Sequence, residues 1–185
     1  LVVPVPTPQP LDGEQLAESI ARGRDLFHGP IANCVGCHGP AGNGMAVTVD
    51  YDDWCKEYST RLGVTPTDSE AMRPFREAGA LPPRQTEPRR FADGVFRGGG
   101  DPESLYRRIS QGIAGTPMPG VDIVAQPSPT NLSDSQAWDL VRYVRFLAQN
   151  PVAQNPVTQN PVTQNPGSES EARAAPSPPL SGVDP

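Results

Sequence analysis

Cys34-Val35-Gly36-Cys37-His38 constrains this chain more than any other stretch. Two cysteines separated by two residues, with histidine immediately after, form the attachment motif for a c-type haem. The spacing has a chemical basis. The two thiols add across the vinyl groups on one porphyrin edge, and the next imidazole can then reach the iron. A structural zinc site would need a second pair of ligands at comparable spacing, and the remaining Cys55 and His28 do not form one. A metal site or redox dithiol is therefore the weaker alternative. Cys34 and Cys37 are assigned to one covalently attached haem c, and His38 is assigned as the proximal ligand.

A second axial ligand is expected downstream. Gly115-Thr116-Pro117-Met118-Pro119-Gly120 sets a methionine between two prolines in a glycine-bounded loop. Each proline fixes its own φ and restricts the residue before it to extended conformations, so Met118 sits on a stiff segment. Thioether sulfur is a soft donor, and a His/Met pair raises the haem potential. The bland reading of Met118 is a gap-filling core methionine. Met45 lies only seven positions beyond His38, too near to reach the opposite haem face, and Met72 sits in a polar stretch without flanking prolines. Met118 is the assigned metal ligand opposite His38, with Met72, His28 or an open position as alternatives. His28 itself reads as a structural residue.

Helical periodicity frames these motifs. Leu16, Ala17, Ile20, Gly23, Leu26 and Phe27 recur at three and four spacing, with charged residues mostly elsewhere on the wheel. Asp12 can cap that helix, and Gly29-Pro30 stops it. A second helix opens with Asp101 as cap and Pro102 at its first position, carries Leu105, Tyr106 and Ile109, and stops at Gly112. The last begins with Ser133 and Gln136 as a capping box and repeats apolar residues through Leu147. Tyr51 to Leu62 is a further candidate helix, and 65–87, crowded with prolines and charges, reads as an extended surface loop. No alternating run is long enough for a sheet, so the domain reads as all-α.

Three segments resemble a class I cytochrome c domain: Gly23 to Phe27 running into Cys34-Val35-Gly36-Cys37-His38-Gly39, the Met118 loop, and the closing helix with Trp138, Tyr143 and Leu147. The resemblance covers most of residues 11–150. It implies a fold of about three to five helices around one covalent haem, with the first and last helices crossing. Gly23 and Phe27 would pack there against Tyr143 and Leu147. It also implies a periplasmic or otherwise extracytoplasmic protein, since haem is attached to this motif outside the cytoplasm. The chain opens at Leu1, for which a removed signal peptide or a fragment boundary would each account. Pro88-Arg89-Arg90-Phe91 and the glycine-rich stretch after it resemble the segment leading toward the haem in related domains. Two propionates against a low-dielectric pocket need partners, and Arg89, Arg90 and, further out, Trp54 are the candidates. Arginines that only solvate a surface loop are the equal alternative.

The ends differ in composition. Of 185 residues, 24 are proline. Residues 1–10 form a Pro-rich linker, residues 11–150 the haem domain, and residues 151–185 a low-complexity tail containing a five-residue Asn-Pro-Val-Xaa-Gln repeat. Proline at that period forbids helix and sheet, so extended linker is expected. The tail is either an inert spacer or a segment that orders on a partner. No stretch of about 20 apolar residues is present, so no transmembrane segment is expected. A net charge of −6 argues against nucleic acid and favours a positively charged patch on a partner. Cys55 is an odd thiol, read as buried and inert.

Together these features imply a one-electron carrier and no enzyme: a soluble shuttle, or a subunit of an extracytoplasmic respiratory or dehydrogenase complex. The Pro-rich tails would contact that complex, and membrane association would come only through partners. The alternative is a haem enzyme or gas-binding sensor with an open or displaceable sixth ligand, for which only His28 offers a distal base.

Overall fold

The computed structural model describes residues 4–45, 50–52, 61–125 and 128–151. Trp54, Cys55, most of the candidate helix from Tyr51 and the repeat tail beyond residue 151 lie outside the described residues. Five helices appear among those described: α1 (Gly13–His28), α2 (Cys34–His38), α3 (Arg73–Glu77), α4 (Pro102–Gln111) and α5 (Asp134–Gln149). A 3-10 turn covers Phe91–Asp93. β1 (Asp50–Tyr51) pairs antiparallel with β2 (Gln85–Thr86). The expected all-α architecture is therefore present.

Each long helix starts where its caps require. Asp12 and Gln15 close a capping box on α1, and Ser133 and Gln136 close one on α5, so the leading amide groups are satisfied locally. Asp101 accepts from the Ser104 amide at 2.9 Å, and Pro102 takes the first position of α4. Gly112, at φ +71°, ends it.

The core is organised by the crossing of α1 and α5. Ser19, Gly23 and Phe27 are buried at steps of four along α1. Opposite them lie Asp139, Tyr143 and the apolar residues Leu140, Val141, Val144 and Leu147. A Cβ on Gly23 would stand 2.1 Å from the Asp139 carbonyl oxygen and 2.9 Å from the Tyr143 Cβ. Only glycine permits that approach. Phe27 meets Tyr143 edge-on with centroids 5.4 Å apart. α4 packs on the other side of α5, with Tyr106 against Trp138 at 4.9 Å and its hydroxyl donating to Asp134.

The structure departs from the expected apolar stripe of α1. Leu16 is 41 % exposed and Ala17 is also exposed, whereas Ser19 is fully buried. The contact row follows the fourfold steps through Gly23, and a polar tie occupies its upper end. The Asp139 carboxylate, 5 % exposed, accepts from the Ser19 hydroxyl, from Arg22 Nε at 2.9 Å and from Arg142 Nη1 at 3.5 Å. A buried charge is tolerated only when paired and hydrogen-bonded in this way. Arg142 also donates to the Gln9 carbonyl at 3.2 Å, and Val5 packs on the core, so the extended residues 4–10 lie against the helices.

Residues 65–87 are more ordered than the expected surface loop, since they contain α3 and β2. Met72 is 2 % exposed but lies apart from the main apolar cluster. No helix among the described residues is long and apolar enough to cross a membrane.

Gly23→Ala is expected to cost about 1–3 kcal/mol through overpacking against the α5 backbone. Urea denaturation of the two holoproteins measures it, and equal midpoints would show that the crossing relaxes.

Candidate functional site

Between α1 and α2 the chain must turn sharply so that both thiols and the imidazole leave one short helix. Gly29 closes α1 by donating to the Leu26 carbonyl. Asn33 then takes a left-handed conformation, φ 42° and ψ 38°, and donates to the Gly29 carbonyl at 2.9 Å. Asn is among the few residues with a side chain that enters this region readily. α2 follows at once, with Cys34 half-buried, Cys37 exposed and both thiols free. Burial pushes the Cys34 thiol up to about 11.

His38 is held on two sides. Its half-buried ring stacks on Phe91, with centroids 4.7 Å apart and planes 27° from parallel. Its Nδ1 donates to the Arg89 carbonyl at 3.3 Å. Such a bond fixes the tautomer and leaves the Nε2 lone pair for a metal, and Nε2 has no hydrogen-bond partner among the described residues. Burial lowers the His38 pKa from its ordinary value, against a smaller raising effect of the Arg89 carbonyl. The favoured neutral imidazole is the ligating form.

Residues 88–91 reach His38 because the loop after the motif folds onto them. Gly44 donates to the His38 carbonyl at 3.0 Å, and Phe91 donates to the Gly42 carbonyl at 2.9 Å. A Cβ on Gly44 would stand 2.7 Å from the Pro88 carbonyl, and one on Gly42 2.4 Å from the Phe91 ring. Both glycines have positive φ. Phe91, 7 % exposed, also meets Phe27 at 6.2 Å and Phe96 at 6.1 Å. An aromatic chain thus runs from the helix crossing to His38.

Met118 stands on a separate loop after α4. The Ile113 amide donates to the Met118 carbonyl at 3.2 Å, the Met118 amide to Thr116 Oγ1 at 3.3 Å, and that hydroxyl to the Ile113 carbonyl at 2.8 Å. Gly112 and Gly120 close the neck, where a Cβ would fall 2.5 Å from the Met118 and Ser110 carbonyls respectively. The half-buried Met118 side chain lines a hollow of about 270 Å³ with Ile113, Pro117 and Pro119.

The structure therefore brings Cys34, Cys37 and His38 together with Arg89 and Phe91, and presents Met118 from a rigid loop of its own. Arg89 reaches the site through its carbonyl, while the side chains of Arg89 and Arg90 are exposed. Trp54 falls outside the described residues. His28 has Nδ1 2.8 Å from the Arg24 carbonyl and Nε2 2.9 Å from the Pro40 carbonyl. It clasps the end of α1 to the loop beyond the motif. Sequence reasoning missed the Arg89 carbonyl, since a main-chain acceptor has no residue signature. It placed Phe91 in the segment leading toward the haem but gave its ring no role.

The donor set fits a covalently attached haem: two reduced thiols on one helical turn, and a neutral imidazole with one nitrogen anchored and the other free. Phe91→Ala is expected to lower stability by about 3–5 kcal/mol, the usual cost of emptying a buried phenylalanine site. Urea denaturation checks it, and Phe91→Leu should recover part of the loss.

The cytochrome c family profile matches residues 20–148. No curated protein matches the sequence. Among solved structures, a chain of the reducing HAO-like protein complex of Kuenenia stuttgartiensis is similar with a TM-score of 0.52 and 25 % identity. The similarity covers 80 % of this chain and 50 % of that one, so the present chain spans about half of its length. The family match takes in the attachment pentapeptide, the Met118 loop, the second half of α1 and nearly all of α5. The chain belongs to the cytochrome c family, whose domain carries a covalently attached haem c, here through Cys34 and Cys37, and serves haem-based electron transfer.

Proposed function

We propose that this protein is a one-electron carrier with His38 and Met118 as axial ligands, working outside the cytoplasm as a subunit of, or docked to, a multi-subunit redox complex. The observation that carries the reading is the pair of independently fixed donors. His38 is oriented by a backbone carbonyl and an aromatic ring, and Met118 is clamped by hydrogen bonds within its own loop.

When bound, the haem supplies a one-electron couple at its iron. The chain's residues set the conditions for that couple. Cys34 and Cys37 would fix the ring covalently, the Arg89 carbonyl and Phe91 hold the imidazole, and the Thr116 and Ile113 bonds fix the Met118 main chain. Rigid ligands lower the rearrangement that accompanies gain or loss of an electron. A methionine opposite histidine favours the reduced state. His28 has both ring nitrogens against backbone carbonyls, which supports a structural role for it.

Support for a complex comes from the neighbour in the HAO-like assembly and from the repeat tail, whose composition suits an extended tether.

Absorption spectra of oxidised and reduced holoprotein, with carbon monoxide added to the reduced form, test the ligation. The expected result is a sulfur-to-iron charge-transfer band in the far red, with no shift on adding carbon monoxide. Met118→Ala should abolish that band, admit carbon monoxide and lower the potential. A wild-type protein that already binds carbon monoxide would sink the carrier reading.

A further inference from the structure

We propose that the hollow between the N-terminal strap, residues 4–10, and α4 is a docking groove for the chain's own Asn-Pro-Val-Thr-Gln repeat at 160–164, with Pro161-Val162 as the inserted pair.

The groove already accepts this chemistry. The strap reads Pro-Val-Pro-Thr-Pro-Gln-Pro. Its Val5 packs on the core, and Arg142 donates to the Gln9 carbonyl at 3.2 Å. Beside it lies a hollow of about 520 Å³, whose wall combines Pro4, Val5 and Pro6 of the strap with Tyr106, Val121 and Ile123. That volume falls within the range of ligand clefts. Proline-rich segments dock on aromatic-lined grooves because they are already close to polyproline II and lose little entropy on binding. Among the described residues, 4–8 make no hydrogen bond, so the main-chain groups of Val5 and Thr7 are open to an extended neighbour.

The tail repeats the seated dipeptide. Pro151-Val152, Pro156-Val157 and Pro161-Val162 follow one another at five-residue spacing, and the last two pairs continue into Thr and Gln. In the strap, Pro4-Val5 is likewise followed by Thr7 and Gln9. Residues 151–168 carry no charge, so nothing in the repeats repels the carboxylates of Asp122 and Asp134 that also line the hollow. The side-chain amides of Asn160 and Gln164 are donors that such carboxylates accept from.

Reach selects the repeat. Asp134 opens α5 and lines the hollow, whereas the tail leaves beyond Gln149 at the other end. The 16 residues of that helix span about 24 Å. At about 3.1 Å per residue, Pro156 extends about 16 Å beyond Pro151 and Pro161 about 31 Å. Pro161-Val162 is therefore the first pair that covers the distance. A short flexible tether holds its end at an effective concentration of about millimolar, so even a weak groove is filled.

Nuclear magnetic resonance of the full-length, isotope-labelled, reduced holoprotein tests this docking. The Val162 methyl groups should show Overhauser contacts to the Tyr106 ring and the Ile123 side chain, at every protein concentration. Val162→Asp should abolish those contacts and shift the Gln111, Val121 and Ile123 amide signals, while Val157→Asp should leave both unchanged. Both substitutions lie beyond α5, outside the packed domain. Absent contacts, with groove signals unmoved by Val162→Asp, would overturn the docking. Contacts that vanish on dilution would assign the groove to the tail of a second copy and overturn the same-chain occupant. Equal losses from Val157→Asp would overturn Pro161-Val162 as the inserted pair.

Discussion

Where α1 and α5 cross, Gly23 lets two backbones approach so closely that a methyl group would overlap the Asp139 carbonyl. The rest of the domain is arranged from that point. One turn further along, Phe27 fills the space beside Tyr143 and touches Phe91, and Phe91 in turn supports the His38 ring. Each fully buried side chain of this kind contributes roughly 1.5–3 kcal/mol of transfer free energy. Their contiguity matters as much as the sum, because a shift at the crossing is passed through close-packed rings to His38.

The two proposed axial donors are built on different principles. His38 depends on a distant segment for its orientation, through a main-chain acceptor more than fifty residues away. Met118 depends on its immediate neighbours, with glycines at the neck and a threonine hydroxyl bridging the loop. One donor therefore reports the integrity of the tertiary fold and the other the integrity of a local turn. The Asp139 tie belongs to the first kind. It joins Ser19, Arg22, Arg142 and, through Arg142, the Gln9 carbonyl.

Local chemistry was readable from the sequence. The caps at Asp12, Asp101 and Ser133, the helix stops at Gly29 and Gly112, and the attachment pentapeptide act through neighbours a few residues apart. The Gly23 and Phe27 contacts with Tyr143 also follow from the family resemblance. What escaped was decided by long-range geometry. Leu16 and Ala17 satisfy helical periodicity yet face outward, while Ser19 enters the core because a carboxylate on another helix awaits it. α3 and the fully buried Met72 arise in a stretch whose prolines and charges gave no periodic signal. The role of the Arg89 carbonyl depends on a loop that only glycine at 42 and 44 can fold.

The hydrogen bonds at the crossing join Asp139 to Ser19 and Arg22, partners 120 and 117 positions apart. Contacts at that separation form only after most of the chain has been gathered, and the entropy of closing so long a loop is spent first. The haem-attachment pentapeptide, by contrast, begins six residues beyond α1. The first half of the crossing and the pentapeptide are thus neighbours in sequence, whereas the polar tie that locks the crossing waits for α5.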